Sequence, residues 1–230
     1  MAKRISRRTW LLGSICAFSA FGCGANPFLL PELLLGGRQS QIPAKFPIAP
    51  DDDDLPPTKA YVLVANRVTI DPELAPVEGL LNGELIDVLT ARYTANKDRV
   101  QVKYKSKIEE FKRQNPGWKT MDMYALGKKE NSDIVIYVEI ESFNLYVPNS
   151  QKNLLKGEIY ASIFAYDMRK DQHEPVYKAN YKKQYPEGRE ILAESPGEVS
   201  KFRSDFIHKI ATEISTHFAD SSSDAIRQID

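Results

Sequence analysis

The chain of 230 residues has only two cysteines, Cys16 and Cys23, and both lie near its amino terminus. Because no cysteine follows Cys23, the rest of the chain can form neither a disulfide framework nor a zinc site built on thiolates. The folded part must therefore be held together by its hydrophobic core, and 42% apolar residues are enough to build one.

The sequence also lacks the common motifs of catalysis, since it has neither a G-x-S-x-G turn nor a glycine-rich phosphate loop. Its three histidines are His173, His208 and His217. His208 and His217 are nine positions apart, whereas two metal ligands on one helical face are three or four apart. We therefore predict no catalytic residue, no metal site and no cofactor, and we expect that the protein is not an enzyme.

Two acidic residues, Glu139 and Glu141, alternate on one side of a predicted strand. Paired carboxylates can perform acid–base chemistry when their surroundings separate their pKa values. A neighbouring predicted strand carries Lys178, Lys182 and Lys183, and these lysines favour cross-strand charge pairs as the explanation.

Basic residues are in excess only at the amino terminus. The chain has 31 Lys and Arg against 31 Asp and Glu, and four of the bases but no acid lie in residues 1–22, so the remainder has a net charge of −4. Binding to nucleic acid requires a basic face, so we expect no nucleic-acid partner.

Residues 1–22 have the pattern of a signal peptide: a basic start, an apolar run and a small residue before Cys23. The apolar run is shorter than the about 20 residues that span a bilayer, although an uncleaved anchor is the alternative. The segment from Ala20 to Cys23 resembles a bacterial lipobox. That resemblance implies that Cys23 becomes the new amino terminus, carries diacylglycerol and an amide-linked acyl chain such as palmitate, and anchors the protein to a membrane.

The export route has two alternatives. The Arg7–Arg8 pair and the residues after it resemble a twin-arginine signal, whereas a basic start is equally typical of general secretion. Either route exports the protein to the cell envelope, with its domain facing the periplasm or the outside of the cell.

Seven of the fourteen prolines lie in residues 24–58, which cannot sustain a helix or a strand ladder. We predict that residues 23–58 form a lipidated, proline-rich tether. The four aspartates of Asp51 to Asp54 lack the alternation of a calcium loop and are interpreted as a solvated spacer.

The pattern changes at Lys59, and residues 59–219 are predicted to form one mixed α/β (α+β) domain, followed by a flexible tail over 220–230. Its sheet of about five strands should combine a parallel β-α-β unit with an antiparallel meander, and a long carboxy-terminal helix should pack on it. Ser106 and Glu109 predict a capping box at one helix start. The predicted strands are 59–70, 99–104, 132–147, 155–168 and 175–185, and the predicted helices cover 76–95, 106–115, 120–129 and 199–218.

Tyrosines form two rows on predicted strands. Tyr177, Tyr181 and Tyr185 share one strand face, and Tyr160 belongs to a second row with Phe164 and Tyr166. If helices cover these rows they are core, which sheets of this class favour. If the rows are open, they form a partner-binding surface with lysines beside them.

The order of elements, Leu126-Gly127 before Ser132-Asp133, and the strand of residues 163–168 resemble a known bacterial group. This is the domain shared by the TolB amino-terminal region, the penicillin-binding-protein activator lipoproteins and the curli-secretion lipoprotein CsgG. The resemblance covers about residues 59–219 and implies a domain that binds partners and has no catalytic positions.

We therefore expect a non-enzymatic envelope lipoprotein whose domain binds another, unidentified envelope protein in assembly, secretion or transport. The alternative is a homo-oligomeric channel-forming or structural subunit of a secretion system. That alternative requires an amphipathic strand pair within residues 132–166, where charged side chains such as Glu139 and Lys156 oppose entry into a bilayer.

Overall fold

A computed structural model describes residues 41–52, 54–67, 75–193 and 195–222. The predicted signal peptide and Cys23 lie outside the described residues, as does most of the predicted tail. The helices are α1 (Val77–Asn96), α2 (Lys105–Gln114), α3 (Met123–Lys129) and α4 (Pro196–Ser215), and a 3-10 turn covers Trp118–Thr120. The strands are β1 (Gln41–Ile42), β2 (Thr58–Asn66), β3 (Val100–Val102), β4 (Ile134–Tyr146), β5 (Leu154–Asp167), β6 (Tyr177–Tyr185), β7 (Ile191–Leu192) and β8 (Ser221–Ser222).

The main sheet has the strand order β3-β2-β4-β5-β6, and β7 pairs with β5 beyond the end of β6. β2 runs parallel to both β3 and β4, whereas β4, β5 and β6 form an antiparallel meander. The connection from β2 to β3 contains α1, and the connection from β3 to β4 contains α2 and α3. The predicted mixed α/β class is therefore confirmed, together with its parallel unit, its meander and its carboxy-terminal helix.

One face of the sheet is covered by α1 and α4 and forms the main core. Side chains that point to this face alternate along each strand, as the pleat requires. Ile136 and Ile163, for example, are fully buried. A register shift after Ile140 changes the alternation, so that Phe143 also points to this face and stacks on Phe206 of α4 at 5.5 Å between ring centroids.

The opposite face is covered only in part. α2 and the 3-10 turn lie over β2, where the ring of Phe111 meets Tyr61 edge-on at 6.0 Å. α3 lies over the start of β4, and Gly127 approaches Val135 and Met168 so closely that a Cβ would overlap them. α3 also reaches the end of β5, and within the described residues no helix covers this face over the rest of β5 and over β6.

The helix starts differ from their prediction in one detail. α2 begins at Lys105 after an extended Tyr104, without a side-chain cap, so the capping box predicted from Ser106 is wrong. A capping box is present instead at the start of α4, where Ser195 and Glu198 satisfy each other's backbone amides.

Residues 41–50, which belong to the stretch predicted as tether, pack on the domain. β1 pairs antiparallel with β8, and the amide of Phe46 donates to the carbonyl of His217 at 2.7 Å. Ile48 is only 2% exposed. The described part of this stretch is therefore a strap along the end of α4, and we call residues 41–50 the strap below.

A candidate partner-binding surface

The structure separates the four tyrosines that the sequence singled out. Tyr177, Tyr181 and Tyr185 point from β6 towards α4, whereas Tyr160 points from β5 to the opposite face. The first three belong to the half-buried border of the core, and Tyr160 lies on the face that is only partly covered.

Tyr185 and Tyr181 have defined partners beneath α4. The ring of Tyr185 stacks on Phe202 at 5.6 Å and on Phe206 at 6.0 Å. The hydroxyl of Tyr181 donates to Glu213 at 3.0 Å, and burial, followed by the charge of Glu213, raises the pKa of Tyr181. These contacts use the rings and the hydroxyl to hold α4 on the sheet.

Tyr177 holds the strap. Its ring stacks on Phe46 at 5.2 Å and meets Phe218 edge-on at 5.9 Å. Its hydroxyl lies 2.7 Å from Nδ1 of His217, whose Nε2 lies 3.2 Å from Nζ of Lys45. Tyr177 therefore connects β6, the strap and the segment that follows α4.

The uncovered part of the sheet, here called the open sheet face, is aromatic and basic. It lies on β4, β5 and β6 beyond the cover of α2 and α3, and the side chains that define it alternate with the core residues of the same strands. Its members are Tyr160, Phe164, Tyr166, Lys178 and Lys182, and the buried Tyr137 lies at its border.

Each exposed lysine of the open sheet face lies over an aromatic ring. Nζ of Lys182 is 4.6 Å from the ring centroid of Tyr160, and Nζ of Lys178 is 5.4 Å from that of Phe164. Phe164 also stacks on Tyr137 at 6.0 Å. Burial, followed by the charge of Glu139, raises the pKa of Tyr137 to about 12.

The acidic pair of β4 does not meet these lysines, because β5 lies between β4 and β6. Glu141 instead accepts a hydrogen bond of 2.6 Å from the hydroxyl of Ser162. The lysine of β6 that does face an acid on this surface is Lys182, whose Nζ is 3.8 Å from Glu158. The predicted cross-strand pairs of Glu139 and Glu141 with lysines are therefore wrong.

The three histidines lie at separate places, and each has its own partner. His173 is 2.8 Å from Asp122, His208 is 2.6 Å from Glu84, and His217 lies under the strap. Among residues 41–52, 54–67, 75–193 and 195–222, no group of three or more metal-binding side chains comes together. In the same part of the chain, no helix is both long and apolar enough to cross a bilayer.

Sequence reasoning named Tyr160 but not Tyr137, which lies at the border of this surface. The signal that separates the two faces of β6 is its strict alternation: Tyr177 and Tyr181 lie on one side, and Lys178 and Lys182 lie on the other. Tyr137 could not be assigned in the same way, because it lies in a run of β4 that is buried on both faces.

No protein-family profile and no curated protein sequence matches the chain. Solved structures do match it in fold, and several of them are bacterial lipoproteins. They include the PelC dodecamer from Paraburkholderia phytofirmans, which is 14% identical over 75% of this chain and 94% of that chain, with a TM-score of 0.40. Lipoprotein GNA1162 from Neisseria meningitidis is 15% identical over 67% of this chain and 99% of that chain, with a TM-score of 0.39. Protein XCC0632 from Xanthomonas campestris is 10% identical over 76% of this chain and 88% of that chain, with a TM-score of 0.44.

Proposed function

We propose that this protein is a lipoprotein of the bacterial envelope that is anchored through acylated Cys23 and binds another envelope protein through its open sheet face. The observation that carries the proposal is the open sheet face itself. Sheets of this class normally bury their aromatic residues under helices, yet Tyr160, Phe164 and Tyr166 are only half-buried, and lysine side chains lie above the rings of Tyr160 and Phe164.

The composition of the open sheet face suits a protein partner. Aromatic rings supply contact area at a low cost in side-chain entropy, and the lysines can swing away from the rings to meet acidic groups. Exposed lysines such as Lys178 and Lys182 on an edge strand also oppose uncontrolled strand pairing.

The lipid anchor rests on the sequence. Cys23 follows a signal-like segment, and it is the one thiol that remains after cleavage at that point. Two acyl chains hold a protein firmly at a membrane, whereas one chain binds only marginally. The strap leaves residues 24–40 as the length of chain between Cys23 and the first described residue of the domain.

We further propose that the protein has no enzymatic activity. The histidines of the described residues are spread over three places, and each has a structural partner. In the acidic pair of β4, Glu141 accepts a hydrogen bond from the hydroxyl of Ser162. Acyl or phosphoryl transfer would require an accessible nucleophile with an adjacent base, whereas the hydroxyl of Ser162 beside Glu141 is only 6% exposed.

The anchor is tested by the intact mass of the protein extracted from membranes, beside a Cys23→Ser variant. A mass that begins at Cys23 and includes acyl chains, and that the variant lacks, would support the anchor. A full-length mass, or cleavage elsewhere without lipid, would contradict it.

The binding surface is tested by placing the photo-crosslinking residue benzoylphenylalanine at Tyr160 in producing cells, with Lys201 of α4 as the control position. Both positions accept a large side chain, because Lys201 is exposed and Tyr160 lies on the open sheet face. We expect a cross-link to a different envelope protein from position 160 alone, and its loss in the Lys178→Glu/Lys182→Glu variant. Equal cross-linking from both positions would contradict the proposal.

The same experiment distinguishes this proposal from its alternative, in which the protein is an oligomeric channel-forming or structural subunit. A cross-link from position 160 to a second copy of the chain would favour that alternative. A membrane-entering role for β4 and β5 would also require α4 to leave the sheet, and α4 is held there by stacked rings such as those of Phe143 and Phe206.

A further inference from the structure

Among the described strands, the main sheet ends at β3, whose outer edge has no partner. β3 pairs with β2, and its register places Val102 opposite Ala60. Lys103 donates to the carbonyl of Ala60, and Thr58 donates to the carbonyl of Arg99. In a parallel ladder of this register, the amide and the carbonyl of Val102 therefore point away from β2, towards the open edge.

A cleft of about 920 Å³ surrounds this edge. It is bounded by α1 on one side, by the start of α2 on the other, and by the residues that precede β4. Tyr104 lies at the cleft and is 79% exposed, which is unusual for so large a side chain. The cleft therefore offers a strand edge and an exposed aromatic ring in one place.

The cleft is basic. Four lysines line it, against two acids. Lys103 is paired with Glu130 at 2.6 Å, whereas Lys59 and Lys105 have no carboxylate within 4.0 Å among the described residues. The lining charges are Lys59, Lys103, Lys105, Lys107, Asp87 and Glu130.

We propose that this cleft binds an extended, acidic segment of another protein, which adds to the main sheet as a strand beside β3. The outward groups of Val102 would supply main-chain hydrogen bonds, Tyr104 would pack on a side chain of the segment, and Lys59 and Lys105 would pair with its acids. Strand addition of this kind takes affinity from main-chain hydrogen bonds and specificity from the side chains around the edge.

Charge complementarity favours this occupant over a second copy of the chain. Two copies that met edge to edge at β3 would bring Lys59 and Lys105 close to the same lysines of the other copy, and like charges at an interface are costly. The site also lies at the opposite edge of the sheet from β6, so it is independent of the open sheet face.

The test uses the full chain with Cys23→Ser and two capped peptides of equal length, in which valine alternates with glutamate or with lysine. Nuclear magnetic resonance would follow the hydrogen exchange of backbone amides. In the free protein the amide of Val102 should exchange rapidly, because its partner is water. The glutamate peptide should slow that exchange and shift the signals of residues 100–104, and the lysine peptide should do neither.

Matched charge variants then test the role of the lysines. Lys59→Glu/Lys105→Glu should weaken binding of the glutamate peptide by about tenfold or more, and added salt should weaken it too, because the pairs are solvent-exposed. Lys178→Glu/Lys182→Glu makes the same change in net charge at the open sheet face and should alter the affinity by less than about twofold.

Several results would overturn the proposal. One is equal binding of both peptides, or binding of neither. Another is binding of the glutamate peptide without protection of the Val102 amide. Slow exchange of that amide in the free protein would mean that residues 223–230 or another part of the same chain already occupies the edge, and slow exchange that depends on protein concentration would mean that a second copy does.

Discussion

The ring of Phe206 lies directly against the Cα of Gly157, at the point where α4 crosses β5. A Cβ built on Gly157 would stand 2.5 Å from two carbon atoms of that ring. The ring cannot move away easily, because it also stacks on Phe143 and Tyr185. The absence of a side chain at position 157 therefore sets how closely α4 approaches the sheet.

We expect Gly157→Ala to lower the free energy of unfolding by about 2 kcal/mol, because the added methyl group overfills the contact. Gly79→Ala is the matched control, since a Cβ at that position of α1 meets nothing within 4 Å. Alanine at position 79 should stabilise the protein by about 0.5–1 kcal/mol through its higher helix propensity. Urea denaturation of both variants checks the prediction, and a neutral Gly157→Ala would contradict it.

β3 is shorter than β2, and beyond the end of β3 the side chain of Asn82 in α1 bonds to the edge of β2. Its Oδ1 accepts from the amide of Val64 at 2.9 Å, and its Nδ2 donates to the carbonyl of Val62 at 3.3 Å. Oδ1 also accepts from Nζ of Lys112 at 3.2 Å. One buried side-chain amide therefore satisfies two backbone groups that β3 is too short to reach.

We expect Asn82→Leu to cost about 3 kcal/mol of stability, because it leaves the amide of Val64 and the carbonyl of Val62 buried without partners. Asn82→Asp should cost clearly less, since its carboxylate still accepts from Val64 and faces the ammonium group of Lys112. Urea midpoints of the two variants provide the measurement. Equal losses would contradict the prediction, because both variants lose the Nδ2 donor to Val62 and only Asn82→Asp keeps the acceptor for Val64.

The fold could be predicted from the sequence because most of its elements have a clear period. The apolar spacing of α1 and the alternation along β6 lead directly to the observed elements. The capping box of α2 was predicted wrongly because the Ser–x–x–Glu pattern also occurs by chance in polar helices. At α4 the same pattern forms the box, because Ser195 is extended and occupies the N-cap position.

The candidate surface was less predictable, because whether a face is open depends on which helices cover it. The alternation of β6 separates Tyr181 from Lys182 but does not say which of the two faces α4. The strap was missed for a related reason: prolines rule out a regular element but not packing, and Ile48 is buried within an irregular segment.

Tyr185 and Tyr160 should respond differently to truncation, because one lies beneath α4 and the other lies on the open sheet face. Tyr185→Ala removes a ring that stacks on Phe202 and Phe206 and should cost about 3 kcal/mol of stability. Tyr160→Ala removes a contact with Lys182 and should cost about 1 kcal/mol or less. Thermal or urea unfolding checks both values, and a reversed order would contradict the assignment of the two faces.

His217 should make stability depend on pH. It is 5% exposed, and burial, followed by the charge of Lys45, lowers the pKa of its imidazole from 6.5 to about 4. Because the ammonium group of Lys45 can only donate, Nε2 of His217 accepts from it and Nδ1 carries the proton that points to the hydroxyl of Tyr177. The native state therefore requires the neutral ring.

This requirement fixes the direction of the pH effect. Above pH 6.5 the histidine is neutral in both states, so its contribution is fully present. As the pH falls from 7 to 5, His217 becomes protonated in the unfolded chain but stays neutral in the native state, where its pKa is about 4. The free energy of unfolding should therefore fall by roughly 1 to 2 kcal/mol over this range.

His217→Gln removes the titrating group and should flatten this part of the pH profile, although the variant will also be less stable at pH 7. His208→Gln is the control, since His208 is an exposed residue beside Glu84, and it should leave the slope due to His217 in place. Urea titrations at pH 7, 6 and 5 measure how the free energy of unfolding depends on pH in the original protein and in the two variants. If His217→Gln keeps the slope of the original protein, the strap is not held by a neutral imidazole, and the contact between Lys45 and His217 does not contribute to stability in this pH range.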